Sequence, residues 1–235
     1  MPHNRYYFDT TFESGSSIFL TGEEQTHLVQ VMRAEAGDTA ELVNGRGQLA
    51  KALVQGVTKQ RTELLIQKVI DTPPSSPLIL ALALPRMNHL EWVIEKGTEL
   101  GATAFWLFPG LRSEKEALKD SQQKRLKALT ISAMKQCGRL DLPVVEVKPP
   151  LLKWDPIKAH LFFGDISKGA SYLPPLLSSP IVFFVGPEKG FDLKEEAFLR
   201  CTLGATGVKL HPNTLRAETA ALTALAQIQL NKLEN

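Results

Sequence analysis

Two stretches near the end of the chain combine residue types suited to ligand chemistry with a spacing that would gather them. In the first, the apolar run Ile181 to Val185 discharges into Gly186-Pro187-Glu188-Lys189-Gly190-Phe191-Asp192. Glycines at 186 and 190 let backbone amides come close to a ligand, and Pro187 stiffens the turn between them. In open α/β sheets ligands sit at the carboxyl ends of strands, so this loop marks a candidate binding edge. The second stretch, Val208-Lys209-Leu210-His211-Pro212-Asn213-Thr214-Leu215-Arg216-Ala217-Glu218-Thr219-Ala220, repeats the plan of short strand, loop and helix start. No GxxxxGK[ST] occurs, so neither is a Walker phosphate cradle. Gly45-x-Gly47 lies strand-to-strand rather than strand-to-helix, which removes it as a dinucleotide fingerprint. Taken alone, the loop after Val185 fits a ligand cradle and a tight structural connection equally well.

Other reactive types are scattered. His3, His27, His89, His160 and His211 show no HExxH or other ligand spacing, so each reads as a surface or packed residue and no metal is expected. Cys137 and Cys201 belong to no CxxC pair and read as reduced thiols of the core.

The elements that must position the two loops follow from hydrophobic period and punctuation. Thr72-Pro73-Pro74-Ser75-Ser76-Pro77 is the clearest seam, since its prolines deny backbone donors and disfavour helix before them. It divides the chain into residues 1–72 and 73–235. Upstream, β-rich runs at Arg5 to Phe8, Ser17 to Leu20, Thr39 to Val43, Gln48 to Gly56 and Arg61 to Ile70 surround one helix. Thr21 with Glu24 has the pattern of a capping box for that helix, and Asn44-Gly45-Arg46-Gly47 that of a hairpin turn. This predicts a small β-barrel-like module. Downstream, strands at Leu78 to Leu84, Ala104 to Phe108, Val144 to Val147, His160 to Gly164 and Ile181 to Val185 alternate with amphipathic helices, the signature of a mainly parallel sheet. Asn88 with Glu91 and Asp192 with Glu195 are capping pairs, Ser121 opens a helix running to Gly138, and the last helix covers Ala217 to Leu233, where Leu222, Leu225 and Ile228 are expected to form an exposed apolar face that a second copy would cover.

A hydrophobic content of 43% supports a packed core and excludes disorder. No apolar run approaches the roughly 20 residues of a membrane-spanning helix, and the polar, aromatic start lacks a signal core, so a cytoplasmic location is expected and no membrane. The net charge of +2 is too small to announce a nucleic-acid partner, but it is unevenly spread. Residues 1–72 carry 7 Lys+Arg against 9 Asp+Glu, so the basic excess lies downstream. It concentrates between Arg112 and Arg139, where eight basic residues face only Glu114, Glu116 and Asp120. Such a run meets phosphates or forms a solvated helix face; composition favours neither.

A strand, then GPE-x-GF, then LR-x-ETA opening the final helix, resembles the knotted α/β methyltransferases of the SPOUT superfamily. Within it the sequence is most similar to the ribosomal RNA small subunit methyltransferase E family. Further likenesses run along nearly the whole chain: Arg5-Tyr6-Tyr7-Phe8, His27-Leu28 with Val31-Met32-Arg33, Gly37-Asp38, Asn44 to Gly47, Glu95 to Gly101, Arg112-Ser113 and Gln136 to Arg139. The resemblance implies an N-terminal PUA-like RNA-binding barrel and a C-terminal SPOUT domain with a deep trefoil knot, an exception to the rule of unknotted chains. It also implies a homodimer and methylation of N3 of a uridine in 16S ribosomal RNA, with S-adenosyl-L-methionine as donor and 16S RNA or the small subunit as partner.

On that reading the cofactor lies against Gly186, Pro187, Glu188, Lys189, Gly190, Leu210 and Leu215. Arg216 is the catalytic candidate, a cation that would favour the deprotonated uracil, and Glu218 and Glu188 are lesser candidates for a base. Each carboxylate also has a structural reading, Glu188 holding its loop and Glu218 favouring a helix N-terminus. Arg33, Arg112, Arg125, Lys127 and Arg139 are the RNA-binding candidates. The sequence departs from the family pattern at Lys189, where GPEGGF has Gly, and at His211, Asn213 and Thr214. If Lys189 holds a positive φ, the cost is on the order of 1 kcal/mol; if not, its ammonium is free to meet the cofactor's carboxylate. The competing readings are a non-catalytic ribosomal RNA-binding protein with a degenerate cofactor site and, opposed by the missing fingerprints, another nucleotide-binding α/β enzyme.

Overall fold

Alternating burial organises the first seventy residues. The computed structural model describes residues 5–175 and 180–233, which leaves His3 outside the described residues. Its chain divides into two compact units, one built from residues up to Ser75 together with Ile131–Leu142, the other from Ser76–Thr130 and the chain from Pro143 onward.

In the first unit, β1 (Arg5–Tyr7), β2 (Ser17–Leu20), β3 (Thr39–Val43), β4 (Gln48–Val57) and β5 (Thr62–Asp71) form one mixed sheet in the order β1-β3-β4-β5-β2. Every second residue points inward, so Ala50, Ala52 and Val54 of β4 meet Leu64 and Ile66 of β5 around Tyr6, Leu20 and Leu42. Bulges in the β4–β5 pairing bend the sheet. The predicted hairpin turn between β3 and β4 is present: Asn44 Oδ1 accepts from the amides of Arg46 at 2.8 Å and Gln48 at 3.2 Å, while Gly45 and Gly47 take φ of 71° and 91°. The later segment of this unit closes on that turn, with Leu140 carbonyl accepting from Gly47 N at 2.9 Å and Gly45 carbonyl from Leu142 N at 2.9 Å.

The predicted helix here is short: α1 (Gly22–Thr26) gives way to a π turn over His27–Val31. Thr21 stands at the N-cap, but its side chain makes no cap bond, and Glu24 pairs with Lys135 Nζ at 2.6 Å. Arg33, just beyond, has φ of 56°.

The second unit contains β6 (Leu78–Ala83), α2 (Met87–Glu99), β7 (Ala104–Phe108), the first part of α3 (Asp120–Cys137), β8 (Val144–Val147), β9 (His160–Gly164), β10 (Ser171–Tyr172), β11 (Ile181–Val185), α4 (Leu193–Ala197), β12 (Thr206–Lys209) and α5 (Ala217–Leu233). Its sheet is parallel throughout, in the order β10-β12-β9-β11-β6-β7-β8. All five residues of β11 are buried at its centre, which explains their unbroken apolar run. On one face α2 presents Leu90, Val93, Ile94 and Gly97, and α5 presents Ala221, Ala224, Leu225 and Ile228, to a shared core.

Four expectations need correction. Asn88 caps nothing: α2 begins at Met87 without a side-chain cap, and Glu91 pairs with Arg125 Nε at 2.6 Å. The basic helix opens at Asp120, one residue before Ser121. Cys201 is exposed and Cys137 half-buried, so they are not core thiols. Leu225 and Ile228 are fully buried and Leu222 packs against the same core, so the last helix does not expose them as an apolar face. β10, only two residues long, carried no detectable pattern in the sequence.

Candidate functional site

Three parallel strands, β9, β11 and β12, end along one edge of the sheet of the second unit, and the loops leaving them enclose a cavity of about 660 Å³. That size suits a small molecule. Gly186, Pro187, Glu188, Lys189 and Gly190 line one side, and Leu210 and Leu215 another, so all seven residues singled out for cofactor contact meet at one place. Phe163 and Asp165 at the end of β9 line it as well.

The loop after β11 is held from within and from behind. Gly190 N donates to Pro187 carbonyl at 2.8 Å, closing a tight turn, and Gly190 carries the positive φ of 72°. Lys189 therefore has an ordinary backbone, since Arg33 is the one non-glycine residue with positive φ among the described residues. A Cβ on Gly186 would stand 3.0 Å from Phe191 N and 3.1 Å from its ring, so glycine there lets the ring fold over the strand end. Asp192 then caps α4 as expected: it accepts from Lys194 N at 3.0 Å while Glu195 accepts from Asp192 N at 3.0 Å. The Lys194 amide, with Arg112 beside it at 3.3 Å, holds the Asp192 carboxyl below the usual carboxylate range. Glu195 is 1% exposed and also accepts from Leu111 N at 2.9 Å, tying the 110–113 loop to α4.

The second loop is locally braced. His211 Nδ1 accepts from Asn213 N at 3.1 Å, and Gln227 of α5 donates to Leu210 carbonyl at 3.0 Å. At the end of β9, burial opposes ionisation of Asp165, but the Ser167 amide and Arg200, at 2.5 Å, outweigh it and hold the carboxyl below its ordinary value.

Arg216 lies between the cavity-lining Leu215 and Ala217, is exposed, and makes no side-chain hydrogen bond or ion pair among the described residues. Glu218, in the first turn of α5, and Glu188 in the cofactor-side loop both approach His89 Nδ1, at 3.8 Å and 3.9 Å. His89 was read from the sequence as a bystander. Its own spacing carries no signal, because its neighbours in space come from distant segments.

The RNA-binding candidates divide between the two units, Arg33 and Arg139 in the first and Arg112, Arg125 and Lys127 in the second. Arg112 is engaged with Asp192 and with Lys189 carbonyl, Arg125 with Glu91, and Arg139 with Asp141 at 2.5 Å. Lys127 and Arg33 are exposed. Among the described residues no group of three or more His, Cys, Asp or Glu side chains could hold a metal ion, and no helix is long and apolar enough to cross a membrane.

Comparison with known proteins gives a consistent result over both units. An RNA methyltransferase domain model matches residues 71–229, and an RNA methyltransferase PUA domain model matches residues 20–67. The ribosomal RNA small subunit methyltransferase E of Bacillus subtilis is 33% identical over 254 residues, covering 95% of each chain. That of Rickettsia conorii is 29% identical over 240 residues, covering 98% of this chain and 96% of its own. Among solved structures, the ribosomal RNA small subunit methyltransferase E of Neisseria gonorrhoeae, crystallised with S-adenosyl methionine, superimposes with a TM-score of 0.82 at 26% identity, covering 97% of both chains.

Proposed function

The chain belongs to the ribosomal RNA small subunit methyltransferase E family, and from that premise we propose that it methylates N3 of a uridine in 16S ribosomal RNA, using S-adenosyl-L-methionine. One observation carries the proposal: the loops leaving β9, β11 and β12 converge on a single cavity at the carboxyl edge of a parallel sheet. The lining suits the cofactor. Leu210, Leu215 and Phe163 offer apolar surface for a nucleoside, while Lys189 and Glu188 offer opposite charges for an amino-acid moiety bearing a sulfonium.

When bound, the cofactor supplies an electrophilic methyl group. The chain's own task is to orient the uridine and favour loss of its N3 proton. Arg216, exposed beside the cavity, is the residue we assign to the uracil oxygens, where a cation stabilises the deprotonated ring. Residues 1–72 would serve as the RNA-binding barrel and 73–235 as the methyltransferase domain, with Arg33 and Lys127 among the phosphate contacts. The family resemblance supports a deep trefoil knot in the C-terminal segment, where β11 lies between β9 and β6 and α5 packs on α2. We also infer a cytoplasmic homodimer. Its support comes from the family resemblance, and Trp92 on α2 and Leu230 on α5, 44% and 56% exposed, are the apolar residues we assign to its face.

Calorimetric titration with S-adenosylmethionine tests the cofactor, and mass spectrometry of ribosomal RNA from cells lacking the protein tests the product. Loss of one N3-methyluridine is expected. Heat of binding with every N3-methyluridine still present would reject the assigned nucleotide, and no heat from folded protein would favour the non-catalytic RNA-binding reading.

A further inference from the structure

His89 stands on the first turn of α2, outside both cavity loops, yet its ring nitrogen looks between them. Nδ1 is buried from solvent and has no hydrogen-bond partner, while Glu188 Oε1 lies 3.9 Å away and Glu218 Oε2 3.8 Å away. Those carboxylates belong to separate segments, the loop after β11 and the first turn of α5. Ionised carboxylates only accept, so the ring nitrogen facing them is favoured in its N–H form. Without a donor between them, two such groups facing one spot would repel. Of the nearby charged groups, Arg86 also attracts Glu188, but it is committed to a two-pronged pair with Glu114 at 2.9 and 3.1 Å. His89 is thus the group placed to hold both acids at once.

We propose that His89 is a positioning residue, a latch whose Nδ1–H ties Glu188 of the cavity loop to Glu218 of the final helix and so fixes the width of the site. The inference deepens the cofactor reading given above and rests on it for its consequence in binding, but not for the latch itself. The separations of 3.8 and 3.9 Å lie just beyond hydrogen-bond length, so a small closing movement of the loop completes the contact.

Two substitutions separate a latch from a mere space-filler. His89→Phe keeps the ring and removes the donor; His89→Gln removes the ring and keeps a donor. Amide hydrogen exchange on the protein without cofactor reads the latch directly. The hydrogen-bonded amides of Gly190 and of Ala220, which donates to Arg216 carbonyl at the start of α5, are expected to exchange about tenfold faster in His89→Phe, with the rest of the sheet unchanged and His89→Gln near the parent protein. Calorimetry reads the consequence: S-adenosylmethionine is expected to bind about tenfold more weakly to His89→Phe than to His89→Gln. Exchange in His89→Phe matching the parent protein, or His89→Gln as loose as His89→Phe, overturns the latch whatever the cofactor does. Should the exchange pattern appear while the parent protein binds no cofactor, the latch stands and the methyltransferase reading falls.

Discussion

Lys189 and Gly190 divide a demand that the sequence presented as one. The turn needs a left-handed residue, and Gly190 supplies it, which spares Lys189 the backbone strain and leaves its side chain on the cavity wall. The pattern GPE-x-GF was therefore legible as a loop but not as a set of dihedrals. Arg216 poses the sharpest residue-scale test. Because it lies beside the cavity without lining it, Arg216→Ala is expected to lower turnover by about 100-fold or more while leaving the affinity for S-adenosylmethionine nearly unchanged. Lys127→Ala should instead weaken RNA binding and flatten its salt dependence. Single-turnover rates and calorimetry on the same preparations check both, and a parallel loss of cofactor affinity in Arg216→Ala would assign it a structural role. His89 marks where reading from sequence ran out. Its meaning lies in Glu188 and Glu218, and only the strand order that sets β11 beside β6 brings those segments together.

Among the elements, three segments share one capping pattern and only one uses it. Thr21 with Glu24, Asn88 with Glu91 and Asp192 with Glu195 are equivalent as sequence, yet Glu24 goes to Lys135 and Glu91 to Arg125. Glu195 is kept at its cap by burial and by a second donor, Leu111 N. Glu24 is taken by a long-range ion pair, and Asn88 lies inside a helix that has already begun at Met87, and no sequence window contains either fact. Asp192→Ala is accordingly expected to cost about 1 kcal/mol in urea unfolding, whereas Thr21→Ala and Asn88→Ala should lie within a few tenths. Strands were more legible than caps because the period of two and the wholly apolar β11 survive any partner. Asp165 offers a pH test. Its folded-state carboxyl is held below the ordinary value, so its contribution to stability is present above about pH 4 and lost as pH falls through the lowered value. Unfolding midpoints of the parent protein and Asp165→Asn should differ at pH 7 and converge once the pH has fallen through that lowered value; a gap that stays constant as the pH is lowered would discard the linkage.

For the whole molecule, the proline seam before Leu78 and the switch from hairpins to alternating strands and helices made two architectures visible in advance. The last helix does not supply the apolar dimer face its sequence suggests, because Leu225 and Ile228 are covered by its own unit. Light scattering at micromolar concentration is expected to give twice the chain mass of 26.0 kDa, with Trp92→Glu shifting it toward the monomer; a monomer in the parent protein removes the homodimer. Residues 131–142 carry a consequence for how the protein is born. The first unit is not finished when Ser75 has been made, because Gly47 N of the turn donates to Leu140 carbonyl, Gly45 carbonyl accepts from Leu142 N, and Glu24 finds its partner in Lys135. At ribosomal speeds of about 5–20 residues per second, that closure waits a further 3–13 s, roughly. It follows that the N-terminal unit does not mature ahead of the rest during translation. Chains stalled before residue 131 should be cut readily by protease near the Asn44 to Gly47 turn, and chains stalled late enough for Leu142 to have left the ribosome should resist.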